Sequence, residues 1–239
     1  DGEYEPAIEV PMANGTATQV NYAAMVQDRA TLKRYLEALA AVPRVQFDSW
    51  RPAEQLAFLI NAYNAWTVEL VLSRYPDLAS IKDLGSVLQS PWKKRFIPLL
   101  GDTRSLDNIE HGLIRGSGRY AEPRIHFAVN CASVGCPALR AEAYAGDKLD
   151  AQLAEATRAF LADRSRNRLE GERLRVSLIF KWYREDFDRA RGSLGAWLAD
   201  QAPALGLTEA QATRLTSNAM SIDFLDYDWR LNDRAGQVK

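Results

Sequence analysis

Sulfur and imidazole are scarce in this chain. Its 239 residues hold two cysteines, two histidines and three methionines. Two cysteines are too few for a disulfide framework, and they fit an oxidising or a reducing compartment equally well. No run of about 18 apolar residues occurs, which excludes a hydrophobic membrane-spanning helix. A net charge of −1 and a pI of about 6.2 leave no whole-molecule field to attract nucleic acid. No internal repeat, low-complexity tract or linker divides the chain. One globular domain over residues 20–239, preceded by an arm over 1–19, is therefore expected. The first residue is Asp1 rather than Met. That start suggests a removed signal peptide or a trimmed chain, and a periplasmic or secreted location is expected, with the cytoplasm as the alternative.

What the chain does have is 47% apolar residues, ample for a core, and a concentration of its rare side chains. His111, His126, Cys131 and Cys136 all fall between residues 111 and 136. Four soft, titratable groups so close in sequence point to a chemical site. Residues 124–130 alternate as a strand, with Ile125, Phe127 and Val129 on one face and His126, Ala128 and Asn130 on the other. Cys131 then comes where that strand ends, and Ala-Ser-Val-Gly-Cys-Pro reads as a turn. Pro137 can open a short helix through Tyr144, which would place Cys136 near a helix N-terminus that favours a thiolate. Upstream, Ser105 caps a predicted helix over 106–115. Leu106, Ile109, Leu113 and Ile114 form its apolar stripe, with Glu110 inside the stripe and His111 at its edge. A carboxylate on a core-facing stripe costs stability unless it is paired or has chemistry to do.

Three readings of this window compete. In the first, Cys131 is a nucleophile activated by a histidine that a carboxylate or amide orients. In the second, His111, His126, Cys131 and Cys136 ligate zinc, although H-x14-H-x4-C-x4-C is not a standard zinc spacing. In the third, the cysteines form a disulfide or two buried thiols, and the histidines only satisfy hydrogen bonds.

Elsewhere the chain reads as helix-rich. Asp28 caps a helix from Arg29 to about Ala41. Pro52 opens a segment through Leu72 that is apolar almost all round, which predicts a buried central helix. Asn61, Asn64 and Thr67 step along one side of it, as a hydrogen-bond ladder or as the lining of a site. Residues 77–104 read as a long, irregular connection. Its cations Lys93, Lys94 and Arg95 favour a solvated face over an anion site. Further helices are predicted over 148–163, 178–187, from Ser193, and from a capping box at Thr208–Gln211. Strands are predicted at 174–176 and over 221–231, where Leu225, Tyr227, Trp229 and Leu231 alternate with polar residues. The fold class is α+β: a helix-rich domain around a small antiparallel sheet.

Four segments together resemble the domain-of-unknown-function 547 family. They are Leu56-Ala-Phe-Leu-Ile-Asn-Ala-Tyr-Asn-Ala65, Leu106-Asp-Asn-Ile-Glu-His111, the stretch Arg124–Pro137, and Tyr227-Asp-Trp-Arg-Leu-Asn232. The resemblance runs from about residue 20 to 232. It implies an exported bacterial protein, and members joined to glutaredoxin-like domains imply thiol chemistry. A buried helix beside a small sheet is also similar to the papain and transglutaminase-like architecture, except that those enzymes open the central helix with their cysteine, whereas here that helix carries Asn61 and Asn64 and the cysteine lies in the strand-turn segment.

The function expected is a cysteine-dependent hydrolase or acyl transferase acting on an amide, peptide or thioester bond. Cys131 attacks, His126 or His111 moves the proton, Glu110 holds the imidazole, and N–H groups of the 132–136 turn stabilise the oxyanion. Asn61, Asn64, Asn130 and Ser133 are the expected substrate-binding residues. The substrate is a small molecule or a peptide, and no cofactor or metal is required. The alternative is a non-catalytic binding module whose His/Cys cluster is structural.

Overall fold

A computed structural model describes residues 7–12, 15–86 and 88–234. Strands β1 (Ala7–Met12) and β2 (Gly15–Val20) pair as an antiparallel hairpin. The rest of the expected arm lies outside the described residues. Helices α1 (Tyr22–Gln27), α2 (Arg29–Ala40) and α3 (Arg44–Ser49) lead to α4 (Pro52–Leu72). Pro52 sits at the start of α4, where its missing N–H costs nothing, and Glu54 accepts a hydrogen bond from the Arg51 N–H at 2.9 Å. Apolar residues on every side of α4 are buried, so it lies inside the domain as its composition predicts.

The connection after α4 is less irregular than expected. It holds two short 3₁₀ turns and the hairpin of β3 (Ile97–Leu99) and β4 (Asp102–Arg104). A π-helical segment follows over Asn108–Arg115, with the Ser105 hydroxyl accepting from the Asn108 N–H. Next come α5 (Leu149–Ala162), β5 (Arg168–Glu170), β6 (Arg173–Ser177), α6 (Ile179–Trp182), α7 (Arg184–Arg191), α8 (Leu194–Asp200), α9 (Ala202–Leu205), α10 (Glu209–Thr216) and β7 (Ser221–Leu225). The fold is helix-rich α+β.

The structure corrects several expectations. The three-stranded sheet is mixed rather than antiparallel: β5 runs antiparallel to β6, and β7 pairs parallel to β6. Its last strand covers 221–225 of the expected 221–231, and residues 226–231 lie beyond it. Residues 123–127 form a 3₁₀ turn, not a strand, because Pro123 fixes the first turn and the Glu122 side chain accepts the Arg124 N–H. No helix follows Pro137; the carbonyl of that residue is taken by the Asn130 amide and the Tyr144 backbone by Asn61. The helix expected over 178–187 breaks at Tyr183 into α6 and α7.

Two hydrophobic cores result. One surrounds α4. The other packs Phe127, Phe180, Phe187 and Trp197 between α5, α7, α8 and the mixed sheet. The 3₁₀ turn joins them: Ile125 enters the first core and Phe127 the second. His126 is thereby held between two packed layers, 2% exposed.

Candidate functional site

His126 Nε2 lies 2.8 Å from Asp186 Oδ2 on α7. Arg115 grips the same carboxylate with Nε at 2.6 Å and Nη2 at 3.1 Å. Tyr183 stacks on the imidazole, with centroids 3.8 Å apart and planes 17° apart. Burial raises the affinity of Asp186 for a proton, but the hydrogen bonds from His126 and Arg115 outweigh it and hold the carboxyl well below the usual carboxylate range. Burial likewise lowers the pKa of His126, against the opposing pull of Asp186. The imidazole is therefore neutral at neutral pH. An ionised Asp186 can only accept, so Nε2 carries the proton and Nδ1 holds a lone pair. That Nδ1 atom is buried and has no hydrogen-bond partner.

The π-helical segment supplies Glu110 and His111, which diverge as adjacent helical residues must. His111 Nδ1 faces Arg115 Nη1 at 2.8 Å, so it accepts from a group that can only donate. Its Nε2 lies 4.0 Å from Asp107. Glu110 is 4% exposed. The hydroxyls of Tyr63 and Tyr183 meet its carboxylate, and burial followed by that charge holds both phenols protonated, well above the usual range. Glu110 Oε1 is left buried without a partner.

Cys131 and Cys136 are joined as a disulfide. The loop that carries them is clamped throughout. The Asn130 side chain accepts the Ala132 N–H at 2.8 Å and holds that residue at φ 61°, a left-handed conformation unusual for alanine. The N–H groups of Val134 and Gly135 donate to the Arg230 and Asp228 carbonyls, and that of Cys136 to Ser133. These commitments take up the N–H groups of residues 132 and 134–136, four of the five in the turn expected to offer oxyanion donors. Tyr227 lies over the loop because residue 135 is glycine; a Cβ there would sit 2.8 Å from the ring. Its hydroxyl comes 3.1 Å from both sulfur atoms, and burial keeps it protonated. The Ser133 hydroxyl is 3.6 Å from Cys131 Sγ.

One cleft of about 420 Å³ gathers these groups. Glu110, His111, His126, Cys131 and Cys136 all line it. Six aromatic side chains form much of its wall: Tyr63, Trp92, Trp182, Tyr183, Tyr227 and Trp229. The amides expected to bind substrate have other duties. Asn64 donates to the Ala128 carbonyl at 2.9 Å and accepts the Asn130 N–H at 2.8 Å. Asn61 makes the equivalent pair with Tyr144, and Thr67 bonds back to Tyr63. Asn61 and Asn64 line a second cavity of about 340 Å³ on the other side of α4. The four alternative zinc ligands do not converge on one point, since the sulfurs bond each other and the imidazoles face Arg115 and Asp186. Among the described residues, no three His, Cys, Asp or Glu side chains are placed to hold a metal ion.

Asp186 is the residue that sequence reasoning missed. Its signal is position: it stands three residues after Tyr183 and one before Phe187, on the packed side of a short, charge-rich helix.

Residues 47–161 match the family model described as a protein of unknown function, DUF547. That segment belongs to the DUF547 family. It spans just under half of the chain and carries α4, Glu110, both histidines and both cysteines. In this chain, the cleft is completed from outside the matched segment by Trp182, Tyr183, Tyr227 and Trp229, and Asp186 stands behind it. No curated protein and no solved structure matches the chain.

Proposed function

We propose that the dithiol form of this protein is a cysteine-dependent hydrolase or acyl transferase acting on an amide, peptide or thioester bond. One observation carries the proposal: His126, oriented by Asp186 through Nε2 and with an uncommitted Nδ1, lines the same cleft as the two sulfurs. His126 is preferred to His111 as the base because the Nδ1 of His111 is already taken by Arg115. Cys131 is preferred to Cys136 as nucleophile because Cys136 is 3% exposed, while Cys131 is only partly buried.

A thiol reductant first converts the disulfide into two thiols. The Cys131 proton then passes to His126 Nδ1, and the thiolate attacks the acyl carbon. Collapse of the tetrahedral intermediate breaks the bond to the leaving group, which takes the proton back from His126. Water or another acceptor, deprotonated by the same nitrogen, releases the acyl group and restores the thiol. The Tyr227 hydroxyl, held beside the sulfurs, donates to the oxyanion in place of the committed backbone groups. Asp186 acts as a positioning residue through His126 rather than touching substrate.

Intact-mass analysis of the reduced protein with p-nitrophenyl acetate tests this. One acetyl group per chain, mapped to Cys131 and absent from Cys131→Ala and His126→Gln, is expected. A reduced, folded protein that forms no such adduct, or acetylates equally without His126, contradicts it.

The disulfide itself favours a second reading, a binding module whose cysteine loop is purely structural. Under that reading, reduction or Cys131→Ala lowers stability and leaves no acyl chemistry to lose.

A further inference from the structure

We infer that the aromatic cleft binds an alkylammonium group, and that the substrate of the proposed acyl chemistry carries one. The lining joins six aromatic side chains to two carboxylates, Asp107 and Glu110. Among the described residues it includes no lysine or arginine. Both histidines of the lining have their acceptor or donor faces fixed by neighbours, and His126 is neutral because burial disfavours its charged form. The cleft is thus a set of π-faces with anionic groups beside them, which attracts organic cations and repels anions.

Two independent observations point to a ligand rather than to packing alone. Glu110 is 4% exposed, yet its Oε1 atom has no hydrogen-bond donor. The buried carboxylate is incomplete without a donor or a cation from elsewhere. In addition, the aromatic wall already holds an ammonium at its edge: Lys82 Nζ lies 3.7 Å from the centroid of Trp229. Trp229 in turn packs against Trp92, Trp182 and Tyr227 at centroid distances of 5.7, 5.6 and 4.5 Å. The rings therefore form a continuous wall from partly exposed Trp182 inward to Tyr227, whose hydroxyl touches the sulfurs. The cations of the adjoining segment do not neutralise this lining. Arg95 pairs with Asp102, and Lys93 and Lys94 project into solvent.

An alkylammonium group can come from a lysine side chain of a peptide or from a free amine. Titration of the oxidised full chain, followed by tryptophan fluorescence, separates these sources. The probes are Nα-acetyl-lysine amide and n-butylammonium, each against its uncharged counterpart, Nα-acetyl-norleucine amide and 1-butanol. The charged member of at least one pair binds about tenfold more tightly, consistent with a partly desolvated cation–π contact. A stronger response to the lysine amide assigns the source to peptides, and the reverse assigns it to free amines. Glu110→Gln and Asp107→Asn each reduce the charge preference. Asp107 is 38% exposed, so its variant folds even if the buried Glu110→Gln variant does not. Equal binding of charged and uncharged probes, or a charge preference that survives Asp107→Asn and every folded Glu110 variant, overturns the inference.

The inference rests on the acyl-transfer proposal only in calling the ligand a substrate, because the oxidised protein presents no thiol. Ammonium binding without acyl transfer would sink that proposal alone. Acyl transfer without ammonium preference would sink this inference alone.

Discussion

Two buried polar clusters flank the 123–131 segment, and they differ in how fully their bonds are used. On one side, Asn64 and Asn130 engage the Ala128 and Pro137 carbonyls and the Asn130 and Ala132 N–H groups with both ends of their amides. On the other, His126 and Glu110 each keep one buried atom without a partner. Both clusters sit in the same fold at similar depth, so burial alone does not separate them. A complete neutral cluster fixes a backbone path, and here it fixes the strained Ala132 loop. An incomplete one beside a cleft retains capacity for a proton or a ligand.

The largest expected effect breaks the incomplete side. Asp186→Ala leaves Arg115 and His126 without their shared carboxylate and destabilises the protein by about 3 kcal/mol, measured by urea unfolding. A loss below about 1 kcal/mol would mean that the pair is no more than a surface contact. Breaking the complete side costs less. Asn64→Ala removes two neutral hydrogen bonds and costs about 2 kcal/mol. The two variants sharpen the comparison further through acyl chemistry, which should collapse in Asp186→Ala and survive in folded Asn64→Ala.

The pH dependence comes next. The folded pKa of His126 lies below its ordinary value of 6.5, chiefly through burial. Between the two values the unfolded chain binds the extra proton, so stability declines as pH falls below about 6.5. Asp186, with its folded pKa depressed, contributes stability above its ordinary value of 3.8 that is lost only at far more acid pH. The urea midpoint should therefore drop between about pH 7.5 and 5.5, and His126→Gln should flatten that drop. An unchanged slope in the variant would count against a buried neutral imidazole. The smallest effect is a control remote from both clusters. Thr208→Ala removes the capping-box hydroxyl of α10 and costs about 1 kcal/mol without altering acyl chemistry.

Much of the helical frame was legible because local chemistry and burial agree there. Pro52 and the unbroken apolar run of α4 mark its start and end, and the Thr208–Gln211 capping box marks the start of α10. The clustering of His111, His126, Cys131 and Cys136, and the misplaced carboxylate of Glu110, located the cleft. Other features were set by contacts distant in sequence. Ile125, Phe127 and Val129 alternate like a strand only because every second residue enters one of two cores, Ile125 and Val129 the first and Phe127 the second. The duties of Asn61 and Asn64 depend on loops more than sixty residues away. Asp186 gains its meaning from Arg115 and His126, which no local pattern around α7 predicts.

The central claim is that reduction exposes a Cys131 thiol served by an oriented, neutral imidazole. Iodoacetamide labelling of the reduced protein at neutral pH, read site by site by peptide mass analysis, tests it most directly. The account predicts that Cys131 reacts at least about tenfold faster than Cys136, and that His126→Gln and Asp186→Asn remove most of that advantage. Slow, equal labelling of both thiols, unchanged in either variant, would contradict it.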